Sequence, residues 1–403
     1  MTTLAPARHS FDSLFSGIAG LDNGLHRRMP CNLVVEEAAH PRAILRKHFP
    51  HVRQMNDVRE VKGTDLRGTI LVAGFPCKDT SIAGPRVGLA GARSGLFFEI
   101  IRLMQEHRPE WVIVENPDGA LTSNKGRDWL TVTRDFTREG YSWAYRVVDA
   151  RTLDSADLRS PQKRTRIILV AHRDGDIGPC LDVLGLTAAD YAAVQPDTPK
   201  VTWGTAGTGG PDNVTVTGAA PAPTVEALPS WDTIITNAPA EDASCWLTPE
   251  QAEKLLPRLR SHAGLDPELL AAVEAVADGT TPMLDSAVRV WRKSARAQKS
   301  IEAGGWESWV RSAHSNTLTC FDIGGPLRQT HLIYQGGRVR TLTLTEWERL
   351  CGFEDGWTEG IPDGARFTAL GNCVHVGTGE WLAEQLVSVM VRMEAEQDWR
   401  LFA

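Results

Sequence analysis

Short apolar runs recur through the first 172 positions, and segments of helical spacing separate them. Ser13-Leu14-Phe15, Asn32-Leu33-Val34-Val35, Thr69-Ile70-Leu71-Val72-Ala73, Trp111-Val112-Ile113-Val114 and Arg166-Ile167-Ile168-Leu169-Val170 each read as a buried strand bounded by turn residues. Residues Ala43 to Phe49 and Leu96 to Glu106 carry apolar positions at helical spacing. This alternation predicts an α/β fold: a Rossmann-like, doubly wound, mostly parallel sheet.

The pattern breaks after Asp174. Residues 195 to 230 are rich in Pro, Gly and Thr and read as loop or irregular β structure. Two helix starts follow. Thr248, Pro249 and Gln251 form a capping signature, and Asp266-Pro267 opens a second helix that stops at Gly279. Next comes a basic stretch, Arg289, Arg292, Lys293, Arg296 and Lys299, with Trp291 among them. Such a stretch is ordinarily a solvated helix face, and it is also what a nucleic-acid contact looks like. Alternating α/β character returns near Arg338, and an apolar-periodic helix spans about Thr378 to Met393. The expected organisation is a catalytic-type α/β domain at 1–173, a smaller inserted domain at 174–335, and a return segment at 336–403 that completes the first.

With 403 residues and 42% hydrophobic content, the chain is large enough for two cores. No run approaches the ~18 apolar residues of a membrane span, and Met1 to Ser10 lack the apolar centre of a signal peptide. The seven cysteines show no C-x-x-C spacing. That argues against a disulfide framework or a metal site and for a reducing, cytoplasmic setting. The net charge of −7 means that any basic surface for nucleic acid must be local.

Two places carry chemistry. In Phe15-Ser16-Gly17-Ile18-Ala19-Gly20, the glycines permit a tight turn and close approach of a ligand. Nineteen residues after Gly17 stands Glu36, placed to accept from the ribose hydroxyls of an adenosine cofactor. Asp57 ends a third segment, where it could accept from an adenine amino group. The second place is Gly74-Phe75-Pro76-Cys77, directly after a strand, where open α/β sheets bind ligands. A lone Cys there is ordinarily a small buried hydrophobe. Here a Gly-rich stretch from Gly84 to Gly95 follows it, and the next strand ends in Glu115-Asn116-Pro117. Together these suggest a nucleophilic thiol and a carboxyl group at adjacent strand ends.

In their order, these motifs resemble the DNA cytosine-5 methyltransferases over roughly residues 11–172 and 314–390. Phe15 to Gly20 resembles that family's S-adenosylmethionine loop, with Gly17, Ile18, Ala19 and Gly20 at the cofactor. Glu36 matches its ribose acid, or Glu37 if the register shifts by one, and Asp57 with Val58 matches its adenine contact. Cys77 matches its nucleophile and Pro76 the residue before it. Leu96 in Arg93-Ser94-Gly95-Leu96, and Asn372 and Val374 in Gly371-Asn372-Cys373-Val374, match further cofactor contacts. Glu115-Asn116 matches the pair that grips the target base. Gln162-Lys163-Arg164-Thr165-Arg166 matches its Gln-x-Arg-x-Arg motif, and Arg340 to Phe353 the segment that supports its recognition domain. The chain departs from the family at Glu37, where an apolar residue usually packs on adenine, at Ala38, where an Asp is usual, and at Pro117, where Val is usual.

The resemblance implies methyl transfer to C5 of a cytosine flipped out of duplex DNA. Cys77 would add to C6, since a thiolate is a strong nucleophile and a ready leaving group. Glu115, held protonated by burial, would donate to N3, Arg166 would donate to O2, and Arg164 would share in the positive field. The loop from Lys78 to Ala92 would close over the flipped base, with Ser81 reaching a phosphate or the vacated stack. Gln162, Arg292, Lys293, Thr317 and Leu318 are the expected DNA contacts, the last two within Ser315-Asn316-Thr317-Leu318-Thr319. A monomer without metal or membrane partner is expected, in a restriction-modification setting. The rival readings are an RNA cytosine-5 methyltransferase on the same core, a catalytically silent DNA-binding protein, and a Rossmann oxidoreductase. The Cys77, Glu115, Arg164 and Arg166 set argues against the silent protein. The incomplete glycine motif argues against the oxidoreductase.

Overall fold

The computed structural model describes residues 8–76, 94–186, 231–235, 243–260, 266–281, 284–285, 287–296, 307–319 and 330–402. The chain divides into two compact units. One comprises Met1–Leu158, Thr165–Pro223 and Val374–Ala403; the other comprises Arg159–Arg164 and Thr224–Cys373.

The first unit is built on a seven-stranded sheet: β1 (Phe11–Leu14), β2 (Cys31–Val35), β3 (Arg53–Met55), β4 (Ile70–Ala73), β5 (Trp111–Pro117), β6 (Ser142–Asp149) and β7 (Thr165–His172). The spatial order is β3-β2-β1-β4-β5-β7-β6. The first five pair in parallel, and β7 runs antiparallel to both of its neighbours. All four residues of β1 and of β4 are buried, which is why these strands read as unbroken apolar runs rather than alternating ones. The order starts at β1 and winds outward in both directions. The break between β1 and β4 is therefore the switch point beside which such sheets bind ligands.

Helices α1 (Gly20–His26), α2 (Ala39–His48), α3 (Phe97–His107), α4 (Arg127–Arg138) and α5 (Gly178–Val183) belong to this unit. On α3 the buried positions Phe97, Ile100, Ile101, Leu103 and Met104 form one stripe, and they join Leu71, Ala73, Val112 and Val114 in a single core. Two sheet elements lay outside the sequence reading. β3 is three residues long, and β6 mixes Trp143 and Tyr145 with Arg146. The first strand ends one residue earlier than expected, at Leu14, because Phe15 turns into left-handed backbone.

The second unit holds a four-stranded antiparallel sheet, β8 (Arg289–Arg296), β9 (Glu307–Arg311), β10 (His331–Gln335) and β11 (Arg338–Arg340), ordered β11-β10-β8-β9. Helices α6 (Pro249–Arg260) and α7 (Pro267–Ala277) bury Leu255, Leu259, Leu269 and Val273 in one core with Trp291, Trp309, Leu332 and Tyr334. Both predicted caps form. Thr248 and Gln251 exchange backbone-to-side-chain bonds at 3.3 and 3.0 Å, and Asp266 accepts from Glu268 N at 2.9 Å. Helices α8 (Leu344–Leu350) and α9 (Asp363–Asn372) follow, with α8 opened by a Thr343–Glu346 capping box. Glu346 also takes both ends of the Arg340 guanidinium, a fully buried pair.

Two expectations are corrected here. The basic stretch is strand β8, not a helix face. Trp291 fills the core, Arg289 pairs with Glu268 at 2.9 Å and Asp285 at 2.9 Å, and the Lys293 ammonium lies 5.0 Å from the Trp309 ring centre. The boundaries also move. Residues 336–373 fall with the second unit because β10 and β11 form one hairpin and Arg340 locks onto α8. Residues 174–186 fall with the first, where α5 follows β7 and Cys180 is buried beside Ser142.

Helix α10 (Val376–Phe402) returns to the first unit and packs on α1. The approach is backbone to backbone: a side chain at Gly24 would collide with the main chain of Gly379 and Glu380, and one at Gly379 with that of Leu21. Arg27 and Arg28, directly after α1, pair with Glu380 and Glu384 of α10. Among the described residues no helix is long and apolar enough to cross a membrane, and no His, Cys, Asp and Glu group could hold a metal ion. The five described cysteines are buried and form no disulfide with one another.

Candidate active site

The turn after β1 is wound by three left-handed residues, Phe15 (φ 60°), Gly17 (φ 56°) and Ala19 (φ 67°). L residues reach this region at a cost, so the loop must be held by its surroundings. It is held from below. Ser16 N donates to Val35 O at 3.0 Å, and Gly17 N donates to Glu36 Oε2 at 2.9 Å. Glu36 Oε1 accepts from Ala38 N at 2.7 Å. Burial raises the Glu36 carboxyl above its ordinary range, and these two donors oppose the shift. Gly17 has open space where a side chain would stand, so the turn is an open cradle. At Gly20 any Cβ would strike the Val374 carbonyl, which fixes the chain at the far wall of the loop. Ile18 and Ala19 are buried beneath it.

The neighbouring acids differ. Glu37 is 74% exposed and lies 3.6 Å from Arg59. Asp57 caps a short turn through Arg59 N at 2.9 Å and takes the Arg59 guanidinium at 2.6 Å, which holds its carboxyl below the usual range. Val58 is buried, and Leu96 packs against the same core. Arg59 itself formed no part of the sequence reading, since nothing in its spacing marks a guanidinium between two acids.

Asp22 is another residue that reading missed. It lies buried on α1 and hydrogen-bonds Ser13, and burial pushes its carboxyl up to about 7. The native state therefore keeps a proton there that the unfolded chain releases near 3.8. That contribution to stability is complete below 3.8 and is lost as pH rises through about 7. Asp22→Asn is expected to remove this slope and to gain on the order of a few kcal/mol over the natural protein at pH 8, with little difference at pH 4. Urea unfolding at both pH values measures it; equal pH slopes in the two proteins would contradict it.

The turn after β4 lies across the switch point. Phe75 is buried and meets Phe97 at 5.5 Å between ring centres, and Phe75 O accepts from Asn116 Nδ2 at 3.2 Å. Asn116 thus grips the backbone of the turn. Gly74 runs close to the Glu115 carboxyl: a Cβ there would stand 3.1 Å from Glu115 Oε2, a tight contact. On the strand that follows, Glu115 Oε1 forms an ion pair with Arg166 Nε at 2.8 Å, both side chains 9% exposed. The pair spans β5 and β7, where Glu115 is opposite Ile168 in the antiparallel register. Pro76 is half-buried and is the last described residue of the turn; Cys77 and Ser81 lie outside the described residues.

The remaining predicted residues fall in the second unit. Arg164 is 1% exposed and spends its donors on carbonyls: Nε on Cys373 O at 2.8 Å, Nη1 on Leu318 O at 3.1 Å and Nη2 on Gly371 O at 3.0 Å. It ties three segments of that unit together. Gln162 is fully buried and its side-chain amide has no partner among the described residues. Thr317 Oγ1 donates to Lys163 O, and Leu318 is buried. Arg292 donates to Ser312 Oγ at 2.9 Å and Asn316 Oδ1 at 3.2 Å, while Lys293 is buried. Asn372 is exposed at the end of α9.

A Rossmann-like α/β sheet with a glycine-bearing loop at its switch point and a buried carboxylate–guanidinium pair at the end of a neighbouring strand is a fold of the methyltransferase type. The C-5 cytosine-specific DNA methylase family matches residues 9–198 and 262–388. The chain belongs to that family. It is 40% identical over 167 residues to the Type II methyltransferase M2.BsuMI of Bacillus subtilis and 34% identical over 165 residues to M.Eco47II of Escherichia coli. These matches cover 40% of this chain and 41% and 39% of the relatives' lengths. The fold is shared with Spodoptera frugiperda DNMT2, at a TM-score of 0.54 and 13% identity over 95% of this chain and 99% of that one.

Proposed function

We propose that the protein methylates C5 of cytosine in duplex DNA, using S-adenosylmethionine, through a covalent bond between Cys77 and C6. The observation that carries this reading is the Glu115–Arg166 pair beside the Gly74–Pro76 turn, in a chain of this family. When bound, S-adenosylmethionine supplies an electrophilic methyl group. The cradle at Gly17 suits it: open space above the backbone, the Glu36 carboxylate beneath, and Asp57 and Val58 at the next strand end. Phe15, Ile18, Ala19, Gly20, Pro76, Leu96, Asn372 and Val374 are the further contacts proposed.

The base is proposed to leave the duplex and lie against Glu115, since C6 is out of reach inside the stack. The Cys77 thiolate adds to C6, and the electron pair of the C5–C6 bond moves toward C5 and the ring. Glu115, ion-paired with Arg166 in the free protein, takes up a proton from water as the base enters and passes it to N3, while Arg166 stabilises charge at O2. After C5 is methylated its proton passes to water, the C5–C6 double bond re-forms, the N3 proton returns to Glu115 and the thiolate leaves. Arg164 acts as a positioning residue, because its guanidinium is committed to carbonyls. Ser81, Arg292 and Thr317 are the proposed DNA contacts; Gln162, Lys293 and Leu318 are buried and would act by positioning them.

A labelled methyl-transfer assay on duplex DNA and on RNA tests the reading. Label is expected in DNA, at a site that bisulfite sequencing of DNA from expressing cells identifies. Label in RNA alone would favour the RNA enzyme on the same core, and none in either would remove the activity. Titration with S-adenosylmethionine tests the cofactor side. Glu36→Ala is expected to lose roughly 1–3 kcal/mol of binding, and Glu37→Ala none. The reverse pattern would put the ribose contact at Glu37.

A further inference from the structure

The segment that follows β5 carries an unusual backbone. Residues Asp118–Gly126 coil in short turns, and Asn124 (φ 47°, ψ 42°), Lys125 (φ 58°, ψ 35°) and Gly126 (φ 84°) are left-handed in succession. Glycine takes this region freely and asparagine tolerates it, but a long-stemmed Lys does not favour it. The loop is pinned at both ends. Asp118 Oδ2 accepts from Thr165 Oγ1 at 2.8 Å, and Asp128 accepts from Ser123 Oγ at 2.5 Å and from Asn124 Nδ2 at 3.4 Å. The surroundings thus hold a costly conformation, and its product is an exposed Lys125 next to an exposed Arg127.

Neither cation has a hydrogen-bond or ion-pair partner for its side chain among the described residues. This sets them apart from Arg102, Arg138, Arg151 and Arg173, each of which is paired with an acid. The loop also begins three residues after Glu115, at the same end of the sheet. Unpaired cations held beside a site suit a polyanion, and strain that the fold maintains locally is commonly found at functional sites.

We infer that Lys125 and Arg127 contact the sugar–phosphate backbone of duplex DNA beside the base held at Glu115. The inference rests on duplex DNA being the substrate. Such contacts position the duplex and carry no sequence information.

The test is the salt dependence of binding between the full-length protein and a fluorescein-labelled 30-base-pair duplex of arbitrary sequence. Lys125→Gln and Arg127→Gln are each expected to lower the slope of log K against log[NaCl] by about 0.9. Lys125→Gly, which suits the left-handed backbone, is expected to lower the slope equally without lowering the melting temperature. Lys47→Gln, an exposed position near the end of α2, is expected to leave the slope unchanged. Unaltered slopes in the 125 and 127 variants would overturn the inference, as would an equal loss in Lys47→Gln or a lower melting temperature in Lys125→Gly. If the natural protein shows no salt-dependent binding to the duplex, it is the DNA reading that fails.

Discussion

A duplex carrying 5-fluorocytosine at the methylated position is expected to trap the protein as an adduct that survives denaturation, and Cys77→Ala is expected to form none. Fluorine cannot leave as a proton does, so the reaction would stop with the thioether in place. The same substitution should lower turnover by at least about 10⁴-fold, or about 5 kcal/mol of barrier. The expectation rests on what surrounds the position. Cys77 directly follows a turn whose Phe75 carbonyl is gripped by Asn116, and whose Gly74 runs so close to Glu115 that a Cβ would stand 3.1 Å from its Oε2. A nucleophile there would stand beside the group proposed to protonate N3. An adduct formed equally by Cys77→Ala would place the nucleophile elsewhere.

Arg164→Met is expected to destabilise the second unit by on the order of 3 kcal/mol or more. It strips donors from three carbonyls, the buried ones of Leu318 and Cys373 and the partly buried one of Gly371. Arg166→Lys keeps a charge near Glu115 but loses the fixed fork of the guanidinium. It is expected to melt close to the natural protein while turnover falls on the order of 10²-fold. Urea unfolding followed by tryptophan fluorescence, alongside turnover, separates the two. If Arg164→Met unfolded like the natural protein and lost only turnover, the staple role would be wrong and a catalytic one restored.

These two arginines show where the sequence is legible and where it is not. Both stand in one five-residue motif, and the chain pattern assigned both to the catalytic field. The fold divides them between units: Arg166 lies on β7 facing β5, and Arg164 lies among carbonyls contributed by residues more than 150 positions away. Motif order reports neighbours along the chain, not which carbonyl a guanidinium finds. The parallel strands β1, β2, β4 and β5 were legible because burial on both faces leaves continuous apolar runs, whereas the short, half-exposed β3 was not. β6 was not, since it mixes aromatic and charged positions. The basic stretch at 289–299 misled because Arg289, Arg292, Lys293 and Arg296 fall at helical spacing, while burial of Trp291 and Trp309 decides for a sheet. The helix caps were legible because capping is local chemistry of three or four residues.

The contact between α1 and α10 bears on how the protein is made. The loop at Gly17 opens directly into α1, and the face of α1 that carries Gly20 and Gly24 is covered by Val374, Gly379 and Glu380. A nascent chain holds the first of these segments about 350 positions before the ribosome adds the last. Until then one glycine-lined flank of the loop-bearing helix lies bare, and closing it is a contact of very long sequence separation, the slow kind. Synthesis past residue 380 therefore comes before a finished cradle, so premature termination leaves strands and turns without the lock that seals them.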